Sequence, residues 1–210
     1  MFMPLSDFLR KAGLLFFLLA VALCPFDAFS YDGLIVGNSY MYANGNKTAG
    51  VAEKCFEQGS TPWVDANIAV VAKGGWTFKK HAADGANPGQ QLASWLTDDD
   101  KPLDDVILQE QSQTPGFACV NDTLFIQSLE GAKSLDSLIE AKGASTWFIM
   151  TWGRRNGDSM NAFLYPDFLA MQACIEQGYY TYRSKLSTEA RPFFVAPAGE
   201  AWKWIYDDHV

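Results

Sequence analysis

The sequence predicts an α/β protein, a three-layer α/β/α sandwich around a mostly parallel five-stranded sheet. Two observations predict it. Short apolar runs alternate with longer segments of helical character throughout residues 31–210. The runs are also continuously apolar, as strands buried on both faces of a parallel sheet are.

The first strand is Leu34–Val36, and a helix is expected around Ala49–Gln58. Ala66–Ala72 reads as the second strand and ends in the turn pair Gly74-Gly75. A helix near Gly89–Leu96 leads to the third strand, Asp105–Leu108. Thr123–Lys142 places Leu124, Leu135, Leu138 and Ile139 at helical spacing and is bounded by Gly143. Thr146–Thr151 makes the fourth strand, Asp167–Leu186 a long amphipathic helix, Pro192–Ala196 the fifth strand, and Gly199–Tyr206 begins a last helix. With no repeat or linker in this stretch, residues 31–210 form one domain, large enough to bury its own core.

Residues 1–30 have the layout of a signal peptide. Arg10 and Lys11 precede the apolar run Gly13–Cys24, and Ala28 and Ser30 supply the small residues of a cleavage site. That run is shorter than the roughly 20 residues a bilayer span needs. Export to a secreted, periplasmic or extracellular location is therefore expected, with the mature chain starting near Tyr31. No later segment is apolar enough for a membrane, so no membrane partner is expected after signal removal. A net charge of −8, with basic residues only in pairs (Lys79-Lys80, Arg154-Arg155), argues against a nucleic-acid partner. The acidic run Asp98-Asp99-Asp100 reads as a solvated loop.

Cys55, Cys119 and Cys174 remain once Cys24 is removed with the leader. One disulfide is expected, its pairing open, with one thiol left over. Their spacing does not fit zinc and the chain holds only 2 histidines, so no metal or other cofactor is expected. Asn46-Lys47-Thr48 and Asn121-Asp122-Thr123 are glycosylation sequons for a eukaryotic source.

The chemistry should lie in the loops at the carboxyl ends of the strands, where such sheets bind ligands. After the first strand, Gly37-Asn38 turns the chain and delivers Ser39 to the head of the next segment. Met41 stands where a G-x-S-x-G elbow would have its second glycine, so the motif is a different one. Lys73-Gly74-Gly75-Trp76-Thr77 follows the second strand, Gln109-Glu110-Gln111-Ser112-Gln113 the third, and Trp152-Gly153-Arg154-Arg155 the fourth.

From Asp32 to the end, this arrangement resembles the SGNH (GDSL-type) hydrolase family, and more closely a branch whose nucleophile block reads GNSY or GNSF. The resemblance implies a flavodoxin-like SGNH fold and a serine esterase. Ser39 would be the nucleophile and Gly75 the backbone donor of the second block. The family's third-block asparagine is absent from LQEQSQ; Gln111 is the first substitute, with Gln109 and Gln113 as fallbacks. The implied substrate is a small-molecule or carbohydrate ester, with Trp152 and Arg154 as candidate contacts. Trp152 filling the core and one arginine pairing with Asp158 are the structural alternatives.

The family's Asp-x-x-His block is not matched. Tyr206 stands three residues before His209. Either His209 with Asp207 or Asp208 forms a contracted site, or the chain stops before the block; the second reading is favoured, because an imidazole so near the terminus has nothing packed behind it. His81 is expected to be an exposed helix or loop residue. A non-catalytic or inactive protein on the same fold is the alternative to the enzyme.

Overall fold

The computed structural model describes residues 29–41, 48–54 and 64–209. Five strands, β1 (Phe29–Gly37), β2 (Val64–Ala72), β3 (Asp105–Leu108), β4 (Ser145–Ile149) and β5 (Phe194–Ala196), form one sheet in the order β2-β1-β3-β4-β5. Every neighbouring pair is parallel. This is the doubly wound order, and the chain reverses its direction of travel between β1 and β3.

The helices are α1 (Phe78–Gly85), α2 (Gln91–Thr97), α3 (Thr123–Lys142), α4 (Phe168–Leu186) and α5 (Ala198–His209), with a 3-10 helix at Pro115–Val120. Strand alternation divides the core in two. Leu34, Val36, Val106, Leu108 and Phe148 face the larger cluster, filled by Phe78, Leu92, Leu135, Ile139, Met171, Tyr179 and Tyr182 from α1 to α4. Ile35 and Ile68 face the opposite side, where Ala49 and Ala52 from helical residues 48–54 pack on them. Each central strand is thus buried on both faces, and this is why its sequence shows no polar alternation.

α3 spans the expected residues: Asp122 caps it by accepting from the Leu124 N–H, and Gly143 ends it at φ 86. Asp167 caps α4 in the same way, accepting from the Ala170 N–H. β1 is longer than Leu34–Val36 and begins at Phe29, two residues before the expected start of the mature chain. A further helix, α1 over Phe78–Gly85, is not expected from the pattern of residues. Residues 1–28, with most of the expected signal peptide, lie outside the described residues, as do Cys55, residues 55–58 of the first expected helix, and Asn46-Lys47 of the first sequon.

Cys119 and Cys174 form a disulfide that ties the 3-10 helix to α4, so the pairing left open by the sequence falls on these two. Gly131 brings α3 against the first turn of α1: a Cβ there would lie 2.7 Å from the Phe78 carbonyl carbon. Gly131→Ala should therefore lower stability by about 1–3 kcal/mol despite alanine's better helix propensity, because backbone atoms cannot move aside. Urea denaturation of the two proteins measures the difference.

Candidate active site

The carboxyl ends of β1, β2 and β3 leave backbone groups without ladder partners inside the protein, and buried side chains fill the gaps. Asn38 is the first of these, only 2% exposed. Its backbone N–H donates to Gln109 Oε1 at 3.0 Å, and its Nδ2 donates to the Trp76 carbonyl at 3.3 Å. Its Oδ1 accepts from the Tyr40 N–H at 3.3 Å, capping the short helical turn 39–41. One asparagine therefore links the loops after all three strands. Two further bonds tighten the join: Lys73 N–H donates to the Gly37 carbonyl at 3.1 Å, and Gln109 N–H to the Val36 carbonyl at 2.8 Å.

Ser39 stands on this base, exposed, at the start of the helical turn. The Gly75 loop is a four-residue turn closed by the Trp76 N–H on the Lys73 carbonyl at 3.1 Å. Gly75 takes φ 66, the left-handed position that a side chain would disfavour, and is exposed.

The three glutamines have different fates. Gln109 is 1% exposed, and its amide is consumed by backbone: the oxygen accepts from Asn38 and the nitrogen donates to the Glu110 carbonyl. It is a tie between loops, with no free group to offer a substrate. Gln113 accepts from Arg154 Nη2 at 3.0 Å. Gln111 differs from both. Its Oε1 accepts from the Gln113 N–H (3.0 Å), the Thr114 N–H (3.2 Å) and Thr114 Oγ1 (3.1 Å). Three donors on the oxygen fix which end of the amide is which, and Nε2 makes no hydrogen bond among the described residues. A half-buried amide donor is held in a set direction.

Glu110, between two of these glutamines, is fully buried. Both of its carboxylate oxygens accept from the Phe78 N–H at 3.0 Å, Oε1 also accepts from the Gln111 N–H at 2.6 Å, and Oε2 from Ser128 Oγ. Thr77, the residue before α1, makes no side-chain cap, so the cap comes from Glu110 across the sheet. Burial pushes the Glu110 carboxyl up to about 7, against hydrogen bonds that favour the charged form.

His81 is not the exposed residue the sequence suggested. It is completely buried, and its Nε2 donates to the Gly37 carbonyl at 2.8 Å, directly below the Ser39 turn. Burial lowers it to about 4, so the ring is neutral near pH 7. Its apolar neighbourhood includes Trp76, with ring centroids 5.1 Å apart.

Beside Ser39, Tyr40 stacks on Trp152 at 4.7 Å and 20°, and Trp152 meets Trp202 of α5 at 5.5 Å. These rings, with Arg155, Phe168 and Tyr206, line a cleft of about 430 Å³. Trp152 is thus half-buried between two aromatic residues. Arg154 is held by Asp158 at 3.1 Å and by Ser112 and Gln113, which is the structural alternative for this residue. Asp207 and His209 lie in the last turn of α5; Asp207 is exposed, and the side chain of His209 is outside the description. No cluster of metal-ligating side chains occurs among the described residues, and no described helix is long and apolar enough to cross a membrane.

No family model matches the chain, and no curated protein matches it. Solved structures do. A candidate SGNH hydrolase from Slackia heliotrinireducens superposes with a TM-score of 0.57 at 20% identity, over 74% of this chain and 75% of that one. The crystal structure of TesA matches at 0.49 and 15% identity, over 77% and 76%. A catalytic mutant of an acetylxylan esterase from Geobacillus stearothermophilus matches at 0.47 and 13% identity, over 87% and 83%. The five parallel strands, their order and the first of these superpositions define an SGNH-hydrolase fold.

Two buried titrating groups oppose each other here. At Glu110 the folded state binds the proton more tightly than the unfolded chain, so stability is greatest below about pH 4.5 and falls as pH rises through about 7. At His81 the unfolded chain binds the proton more tightly, so stability is full above about pH 6.5 and falls as pH drops through about 4. Glu110→Gln removes one of the two. Its stability should rise with pH between 4.5 and 6.5 more steeply than the wild type's, by up to about 1.4 kcal/mol per pH unit. Urea denaturation at half-unit pH steps reads the two slopes.

Proposed function

We propose that this chain is an exported serine hydrolase of small acyl esters, acting through an acyl-enzyme. The observation that carries the reading is an exposed Ser39 on a turn that one buried asparagine ties to both the Gly75 loop and the loop holding Gln111. In an SGNH-type fold this is the switch point between β1 and β3, where ligands bind. The candidate SGNH hydrolase that shares the fold supports the same reading.

In the proposed reaction Ser39 Oγ attacks the acyl carbonyl carbon as its proton passes to a base. The carbonyl oxygen becomes an oxyanion, held by the Ser39 N–H, the Gly75 N–H and Gln111 Nε2. The tetrahedral intermediate collapses, the alcohol leaves with a proton from the base, and water then hydrolyses the acyl-serine. His81 is completely buried beneath the Ser39 turn, with its Nε2 on the Gly37 carbonyl, and is not that base. His209, with Asp207 as its partner, would serve as that base only if the site is contracted into the last turn of α5. The aromatic cleft favours an O-acylated carbohydrate, since Tyr40, Trp152 and Trp202 offer ring surfaces to a sugar. Export rests on the sequence of residues 1–30. The same cleft also favours a second reading, a carbohydrate-binding protein without catalysis.

A fluorophosphonate probe should label the folded protein, and Ser39→Ala should abolish both labelling and hydrolysis of p-nitrophenyl acetate. Gln111→Ala should lower kcat by about 10² or more with KM little changed. If the site is contracted, His209→Ala should abolish activity; full activity in this variant would exclude His209 as the base. A folded protein that resists the probe but binds acetylated polysaccharide would replace the enzyme by the binding reading.

A further inference from the structure

Both proposed loop donors ride on backbone that ends at the same buried carboxylate. Gly75 belongs to the segment 73–78. That segment is fixed at Trp76, whose carbonyl accepts from Asn38, and at Phe78, whose N–H donates to both oxygens of Glu110. On the other loop, the Gln111 N–H donates to Oε1 of the same residue. The Gln111 side chain is then oriented by Gln113 and Thr114, so fixing the peptide before it fixes its free Nε2.

We propose that Glu110 is the positioning residue of the oxyanion hole, setting the separation between the Gly75 N–H and the Gln111 amide by gripping the backbone of both loops. The inference rests on the esterase reading above. The neighbours explain why a carboxylate stands there. The Phe78 N–H, the Gln111 N–H and Ser128 Oγ–H all donate toward it, and Ser128 is backed by Tyr182 Oη at 2.8 Å. An ionised carboxylate accepts at every site, whereas the nearly isosteric glutamine would turn an NH2 toward one of these donors. Burying a carboxylate is costly, and an apolar side chain would fill the space at less expense. What an apolar residue would not do is hold two loops from different strands at one spacing. Misplacement on the scale of 1 Å at a reacting centre lowers rates by about 10².

The test measures, at pH 8, both the final extent and the per-site rate of fluorophosphonate labelling, with kcat and KM on p-nitrophenyl acetate. The extent counts folded sites; the rate per site reads donor geometry. Wild-type protein that folds but is not labelled at Ser39 sinks the esterase reading itself, and this inference with it. Given labelling, Glu110→Gln should reach a comparable extent at a per-site rate about 10- to 100-fold lower, with kcat falling in parallel and KM nearly unchanged. Glu110→Asp, which keeps the charge but retracts it by one methylene, should also be slowed. Arg191→Ala is the stability control. It breaks the ties to Asp136, Ala144 and Thr146 at the amino end of β4, away from both loops. It should melt earlier yet label at the wild-type rate per site.

A wild-type per-site rate in folded Glu110→Gln overturns the proposal. So does a loss confined to the extent of labelling, or slowing in Arg191→Ala equal to that in the Glu110 variants. If neither Glu110 variant folds, the residue is a core stabiliser and the positioning role is rejected.

Discussion

The constraint on which the rest of this structure depends is the satisfaction of backbone polar groups where a buried parallel sheet comes to an end. Strands covered on both faces stop inside the protein, so the loops that follow begin without water to bond them. Asn38, Gln109, Glu110 and His81 answer this, each at most 2% exposed and each bonded to backbone of another loop. The outcome is a rigid polar floor under an exposed serine. A site built this way needs no long side chains to hold it together; its geometry is set by amides and carboxylates already committed to the fold.

The two sides of the sheet contribute unequally. Four helices fill the side that carries Phe78, Phe148, Tyr179 and Tyr182, where aromatic rings meet at 5.7–6.3 Å. Ser128 and Tyr182 belong to this dense layer, so the carboxylate beneath the loops is braced from below by the main core. The disulfide and the close approach at Gly131 strengthen the same side. Stability and site geometry are therefore coupled through one layer.

Much of this was legible in the sequence where the signal is local. Apolar runs located all five strands, helical spacing located both long helices, and Gly143 bounded the first of them. The GNS turn and the Gly-Gly pair could be placed at the strand ends. What sequence reasoning missed is non-local. α1 has few apolar residues, and its cap is Glu110, thirty-two positions away. His81 looked like a solvated residue because its acceptor, the Gly37 carbonyl, belongs to another strand. The glutamines could be ranked but not told apart by environment: the loop beyond β3 turns Gln109 inward onto Asn38 and Glu110, while half-buried Gln111 keeps one amide end free. The signal that could have singled out Glu110 was an acid flanked by two glutamines directly after a buried strand.

The adjacent arginines after β4 show how a shared charge can be divided. Arg154 spends its guanidinium on Asp158, Ser112 and Gln113, and its field is largely cancelled at source. Arg155, one residue on, is exposed and forms no ion pair among the described residues, so it stands as an uncompensated cation in the lining of the aromatic cleft. The whole molecule carries −8. At long range an anion therefore meets repulsion; within about 8–10 Å of the cleft mouth, roughly one Debye length, it meets a lone guanidinium. Ionic strength should thus act on this surface in two opposite senses, easing approach from afar while weakening the final capture.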